Sequence, residues 1–189
     1  MIPYVYTIDE FFPPREFEWL REYAYHLEYC DRVAPFDGVT YPNLGVPVPA
    51  VAEELIGVQL TWLLGHKVVP RHMAFRLSLR GSNPPQWAHS DAEVAAYGMF
   101  VFINPGPFAT VLLEHRKTGM RTHPQNEDEL QAWKEDHNNE DAWREIARFD
   151  AAPNRAFVLR SELMHAALPR KGYGEDVRDG RLILLCFFD

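Results

Sequence analysis

Residues 87–104 read Trp-Ala-His-Ser-Asp-Ala-Glu-Val-Ala-Ala-Tyr-Gly-Met-Phe-Val-Phe-Ile-Asn. Tyr97 to Ile103 is a continuous apolar run of strand length, halted at Asn104-Pro105-Gly106-Pro107. Just upstream, His89 and Asp91 are two residues apart, so in extended backbone both side chains point the same way. A strand signal and a pair of metal-ligating groups thus lie in one short stretch.

Downstream, residues 109–115 read as a strand closed by a Thr118-Gly119 turn, and residues 155–159, 163–166 and 181–188 complete the strand set. Upstream, residues 68–79 form one or two strands broken by Pro70, and residues 87–91 a short strand carrying His89 and Asp91. Residues 4–8 open the chain as a strand. Pro13-Pro14 then starts a helix over about residues 15–29, with Phe17, Leu20, Tyr23, Ala24 and Leu27 on one face. A second helix runs over about residues 49–64 and stops at Gly65. Between them, residues 33–48 are dense in Pro and Gly and are expected as a loop. With Phe36, Tyr41 and Asn43 it is either a substrate cover or an ordinary connection. Residues 126–149 are polar, with sparse apolar points at Leu130, Trp133, Trp143 and Ile146; they are expected as a helical insertion split at Asn138-Asn139, a lid or an oligomer contact. Two helices followed by about seven short strands make an α+β chain, mainly β, built on a barrel or jelly-roll.

At 189 residues the chain is expected to be one domain, with residues 1–66 as helical support and 67–189 as the β core. Its 47% hydrophobic content excludes a disordered chain. The net charge of −8 argues against nonspecific phosphate contacts and ranks long nucleic acid last among partners. Cys30 and Cys186, with no CxxC, build neither a disulfide framework nor a cysteine zinc site. The sequence opens without a basic-then-apolar leader, and no apolar stretch approaches a membrane span. The expected location is the cytoplasm, with no membrane partner.

Taken alone, His89 and Asp91 are readily explained as a loop hydrogen bond after Pro84-Pro85. Two further residues change the weight. His165 follows the 155–159 strand, and Arg181 leads the apolar run 181–188. A guanidinium leading an apolar strand needs a partner or solvent, and a carboxylate satisfies its planar fork. Two imidazoles and one carboxylate with coordination positions left open are the donor set of non-haem Fe(II) oxygenases. The other histidines read as structural or exposed: His26 and His66 at helix ends, His72 after Pro70, His123 before Pro124, His137 on the polar helix. His115 is a candidate substrate contact, as are Tyr97 and Trp87, with barrel packing the alternative for Trp87.

On His89-Ser90-Asp91, the run from Tyr97 to Asn104, His165 and Arg181-Leu182-Ile183-Leu184, the chain resembles the Fe(II)/2-oxoglutarate-dependent dioxygenase superfamily, nearer its prolyl-hydroxylase-like branch. The opening Ile8-Asp9-Glu10-Phe11-Phe12-Pro13 adds to the likeness, which covers nearly the whole length. The resemblance implies a double-stranded β-helix (jelly-roll, cupin-like) core with the N-terminal helices packed outside. It implies Fe(II) held by His89, Asp91 and His165, and Arg181 on the far carboxylate of 2-oxoglutarate, with O2 as the other cosubstrate.

There are departures. The strand at residues 75–79 lacks the Tyr that often helps hold the cosubstrate, a Gly-Gly turn after Asn104 is missing, and the longer gap from His165 brings in Arg178 as an alternative to Arg181. Arg76, Ser78 and Asn104 are further cosubstrate candidates. Arg76 and Ser78 face the barrel if Phe75, Leu77 and Leu79 face the helices; the opposite register puts Arg76 in solvent. The implied activity is hydroxylation of a small molecule or side chain with release of succinate and CO2, since halogenating members carry a small residue where Asp91 stands. A cupin-like metal- or ligand-binding module, or a metal-dependent hydrolase or isomerase, are the alternatives. The sequence leaves the substrate open among amino acid or other small molecule, protein side chain and nucleobase, and the oligomeric state as well.

Overall fold

The computed structural model describes residues 5–33, 40–82, 84 and 86–189. In chain order its elements are β1 (Val5–Ile8), α1 (Pro14–Tyr25), β2 (Tyr29–Val33), β3 (Thr40–Gly45), α2 (Ala50–Leu64), β4 (Pro70–Ser78), β5 (Tyr97–Phe102), β6 (Ala109–His115), α3 (Glu127–Asp136), β7 (Trp143–Asp150), β8 (Ala156–Arg160), β9 (His165–Leu168) and β10 (Arg181–Phe188). The chain is mainly β. One sheet has the order β1-β8-β5-β10-β4-β3-β2 and the other β7-β6-β9, with antiparallel pairing throughout.

Alternation decides what each face of the large sheet meets. Phe75 and Leu77 of β4, Met99 and Val101 of β5, Val158 of β8, and Leu182, Leu184, Cys186 and Phe188 of β10 all join one buried cluster with α1 and α2. Helix α1 contributes Phe17, Leu20 and Ala24, and α2 contributes Ala52, Ile56 and Leu60, each set repeating at helical spacing. The intervening residues Phe100, Phe102, Phe157, Leu159 and Ile183 face the other way, onto Leu112 of the small sheet. Val111 and Leu113 point to the far side of the small sheet, where Trp143, Met164 and Trp133 of α3 cover them.

Several expected elements differ. Helix α1 stops at Tyr25 rather than near residue 29, because Tyr29 pairs with Gly45 as a strand and its hydroxyl donates to the Ala24 carbonyl. The expected loop 33–48 contains β3, which with β2 extends the large sheet; Phe36 lies outside the described residues. The register shifts here between Cys30 and Arg32: Cys30 faces Leu44 and Arg32 faces Tyr41, so Pro42 and Asn43 together oppose Asp31. Pro42 sits where a bulge asks for no ladder donor, and Asn43 takes φ 53°, a conformation Asn tolerates.

The helical insertion at 126–149 is helical only from Glu127 to Asp136, capped by the Asn126 side chain, with a short 3-10 turn at Glu140–Ala142. Trp143–Asp150 is instead β7, paired to β6. A register shift opposite Leu112 and Leu113 makes Ile146 an extra residue, so Trp143 and Phe149 land on opposite faces. That bulge erases the period-two pattern and leaves a spacing of three that mimics a helix.

Candidate metal centre

The ligand segment meets β9 at one antiparallel bridge, where His89 and His165 exchange both backbone N–H···O bonds, at 3.1 and 2.9 Å. The expected strand 87–91 is no more than this bridge, and Asp91 N donates to Ser161 O at 2.7 Å. The pairing sets the two imidazoles 4.4 Å apart between centroids. Asp91 lies beside both, with Oδ1 3.9 Å from His89 Nε2 and Oδ2 3.3 Å from His165 Nε2. One ligand atom from each residue falls within 4.8 Å of the others. Ser90 points away and is hydrogen bonded to His123 Nδ1 at 2.9 Å, as alternation requires of the middle residue.

Backbone carbonyls orient both rings. A carbonyl only accepts, so His89 Nδ1 donates to Trp87 O at 3.0 Å and His165 Nδ1 donates to Leu163 O at 2.9 Å. Each Nε2 is thereby turned to the cluster, for a proton shared with Asp91 or a cation in its place. Burial, helped by the neighbouring His165, pushes His89 down to about 4, so it is a neutral donor at pH 7. Burial alone raises Asp91, but His165, His89 and Arg76 outweigh it and hold the carboxyl below its ordinary range. For His165 burial acts downward, and the bond to Asp91 reverses it, raising the ring.

Arg181 opens β10 opposite Ser78 and is buried, with its Nε lacking any hydrogen-bond partner among the described residues. Burial first, and the nearby Arg76 second, push it down to about 9, which marks the cost of a desolvated cation that still keeps its charge. Since Phe75 and Leu77 face the helices, Arg76 and Ser78 face inward, and with Arg181 they line one narrow space. A larger cavity of about 500 Å³ runs from His89 and Asp91 past Arg76, Phe100, Leu185 and Phe187 to Leu44, Tyr41 and Arg32. The bulge at Asn43 lets Tyr41 and Leu44, three positions apart, share its wall.

The structure therefore brings together His89, Asp91 and His165, with Arg76, Ser78 and Arg181 on the adjoining inner face. Trp87 lines a small recess beside His89 and Arg76. Other candidates stand elsewhere. Arg178 lies outside, over the Tyr25 ring at 4.6 Å and 3.8 Å from Glu22, so it is no alternative to Arg181. Asn104 is buried but donates to the Val177 and Gly180 carbonyls and accepts from the Tyr25 hydroxyl, a structural tie under the loop that leads to Arg181. The rest of that loop folds back on β4, with Tyr173 N donating to Ser78 O, which accommodates the longer gap from His165. His115 is buried against Trp143 and bonds Thr118 and Asp136, pinning α3 rather than meeting a substrate. Tyr97 stacks on Phe188 at 5.4 Å on the helix side of the sheet. Cavity residues unassigned from sequence include Arg32, Met73, Phe100, Leu185 and Phe187. Leu185 and Phe187 share the parity of Arg181 on β10, which was a usable signal; Arg32 carried none.

No family model matches the sequence, and no curated protein matches it. Solved structures do match, among them a member of the 2OG-Fe(II) oxygenase family, and this chain shares their fold. AviO1 from Streptomyces viridochromogenes Tue57 superposes with a TM-score of 0.62 at 11% identity, over 98% of this chain and 89% of that one. An oxidoreductase of the 2OG-Fe(II) oxygenase family from Burkholderia pseudomallei gives 0.58 at 13% identity, over 98% and 85%. EctD from S. alaskensis, solved with 2-oxoglutarate and 5-hydroxyectoine, gives 0.55 at 15%, over 98% and 71%. At such identities the likeness carries the fold.

Proposed function

We propose that the protein is an Fe(II)- and 2-oxoglutarate-dependent oxygenase that hydroxylates a small molecule. On this reading the two sheets are the halves of a double-stranded β-helix, and the chain is one domain with α1 and α2 as its outer support. The observation that carries it is the convergence, on one inner face, of the His89–Asp91–His165 cluster and the buried Arg181 guanidinium, whose Nε has no partner among the described residues. The donor set fits the metal: two imidazoles held in the ligating tautomer and one carboxylate, facing an open cavity. Arg181 fits the cosubstrate, because a buried cation without a counter-charge is relieved by a carboxylate.

When bound, iron with 2-oxoglutarate and O2 supplies oxidative decarboxylation to succinate and CO2, with the second oxygen atom placed in a substrate C–H bond. The chain's own residues do the rest. Trp87 and Leu163 carbonyls keep both imidazoles aimed. Arg181 and Ser78 anchor the far carboxylate in the narrow space. Phe100, against the His165 ring at 5.8 Å, and Leu185 and Phe187 give the reacting centre an apolar floor that excludes water. The cavity volume of about 500 Å³ suits a small molecule.

The test is anaerobic Mn(II) and 2-oxoglutarate titration followed by aerobic succinate release with Fe(II). Metal-dependent cosubstrate binding and slow succinate release are expected. A folded preparation that does neither overturns the reading.

A further inference from the structure

Arg76 is a second inward guanidinium, and the function above gives it no partner. It stands on β4 between the ligand cluster and Arg181: its charge acts on Asp91 on one side and on Arg181 on the other. It lines both the large cavity and the narrow space shared with Arg181. Among the described residues no hydrogen bond or ion pair reaches it; its one close companion is the Tyr41 ring, 5.6 Å from Cζ.

Charge counting, which rests on the oxygenase reading, shows what is missing. A divalent ion, Asp91, the 2-oxoglutarate dianion, Arg181 and Arg76 leave the inner site one positive charge in excess. Around the rest of the cavity Arg71 is paired with Asp189, and Arg32 and Glu53 at the wall balance in formal charge. A half-buried excess charge is costly without a counter-ion, here in a protein whose overall charge is −8.

We propose that the primary substrate supplies that counter-ion: it is a small monocarboxylic acid with an apolar body, its carboxylate on Arg76 and its body against Phe100, Leu185 and Phe187. A phosphate monoester brings a second negative charge that the site leaves uncompensated, and the apolar wall favours a carboxylic acid. Arg76 becomes the residue that selects substrate by charge and fixes its distance from the metal.

The test is anaerobic calorimetry on the Mn(II)–2-oxoglutarate protein with three probes of one shape: 4-methylpentanoate, 4-methylpentanamide and 4-methylpentylamine. The acid is expected to bind at least tenfold tighter than the amide, and the amine more weakly still. Arg76→Gln removes that preference and Arg76→Lys restores part of it. Thermal melting of the unliganded Arg76→Gln protein checks folding, and its Tm is expected at or above that of the parent. An amide or amine that binds as well as the acid overturns the proposal, as does failure of all three. So does an Arg76→Gln protein that loses 2-oxoglutarate as completely as Arg181→Gln does. Missing Mn(II)-dependent binding of 2-oxoglutarate by the parent protein is a different failure: it overturns the oxygenase reading, and this one with it.

Discussion

The two faces of the large sheet are made from the same strands and spend their residues differently. Toward α1 and α2, β4, β5 and β10 present Phe75, Leu77, Met99, Val101, Leu182 and Leu184, all buried and apolar. Toward the small sheet, those strands carry Phe100 and Phe102 on β5 and, beside them, Arg76, Ser78 and Arg181 on β4 and β10. The first face satisfies itself. Among the described residues the second leaves two guanidiniums without an ion pair, a standing cost that a carboxylate ligand would relieve. Stability and function are thus separated by the parity of position along a strand rather than by distance in the chain.

The sharpest way to break this contrast is at the inner face. On the proposed function Asp91→Ala removes one of three metal donors, and succinate release is expected to fall by more than roughly 100-fold, while the melting temperature holds; a variant that unfolds instead would make Asp91 structural. On the opposite face, Leu184→Ala opens a cavity in the helix-side cluster and should cost about 3 kcal/mol, read as a lower urea midpoint with the metal affinity of the folded fraction preserved. Arg181→Met tests the separation within one strand. Its affinity for 2-oxoglutarate, followed by anaerobic calorimetry, is expected to drop by about 100-fold, yet the unliganded protein should melt about 2–4 °C higher for each kcal/mol of burial cost relieved. A fall in Tm would show that Arg181 already has a structural partner.

The smallest effect concerns Glu114 at the rim of the small sheet, which is paired with both Arg121 and Arg144. The bond to Arg121 foremost holds its carboxyl below the ordinary 4.5. A depressed folded-state pKa contributes stability that is fully present above the unfolded value and lost as pH falls through the folded one. The Tm gap between the parent and Glu114→Gln is therefore expected to be constant near neutrality and to close below about pH 4.5; a gap independent of pH contradicts the pairing.

Much of the candidate site was legible because its signals are local. His89 and Asp91 share a face by spacing alone, and Arg181 stands out as one charge heading an apolar run, with β5, β6 and β10 falling close to where their runs begin and end. What failed was lost at bulges. Pro42 read as a loop breaker because it occupies, with Asn43, the bulge opposite Asp31, and the extra residue at Ile146 gave β7 a helical rhythm. Two misplaced candidates needed only stricter use of alternation. Tyr97 has the parity of Met99 and Val101, which face the helices, and His115 has that of Val111 and Leu113, which face α3. Arg32 is different in kind: it reaches the cavity through the pairing of β2 with β3, which no spacing announces.

The bulge at Asn43 also bears on how such a protein changes over time. The strand that carries it holds to the large sheet by two residue pairs, Leu44 with Arg76 and Gly45 with Phe75. His89, Asp91, His165 and Arg181 all lie on other segments. One inserted or deleted residue near Asn43 would rotate Tyr41 and Arg32 out of the wall while leaving the His89–Asp91–His165 cluster untouched. On the proposed function, the outer lining would be an interchangeable panel beside a fixed candidate site, so a lineage could try new molecules without rebuilding that site.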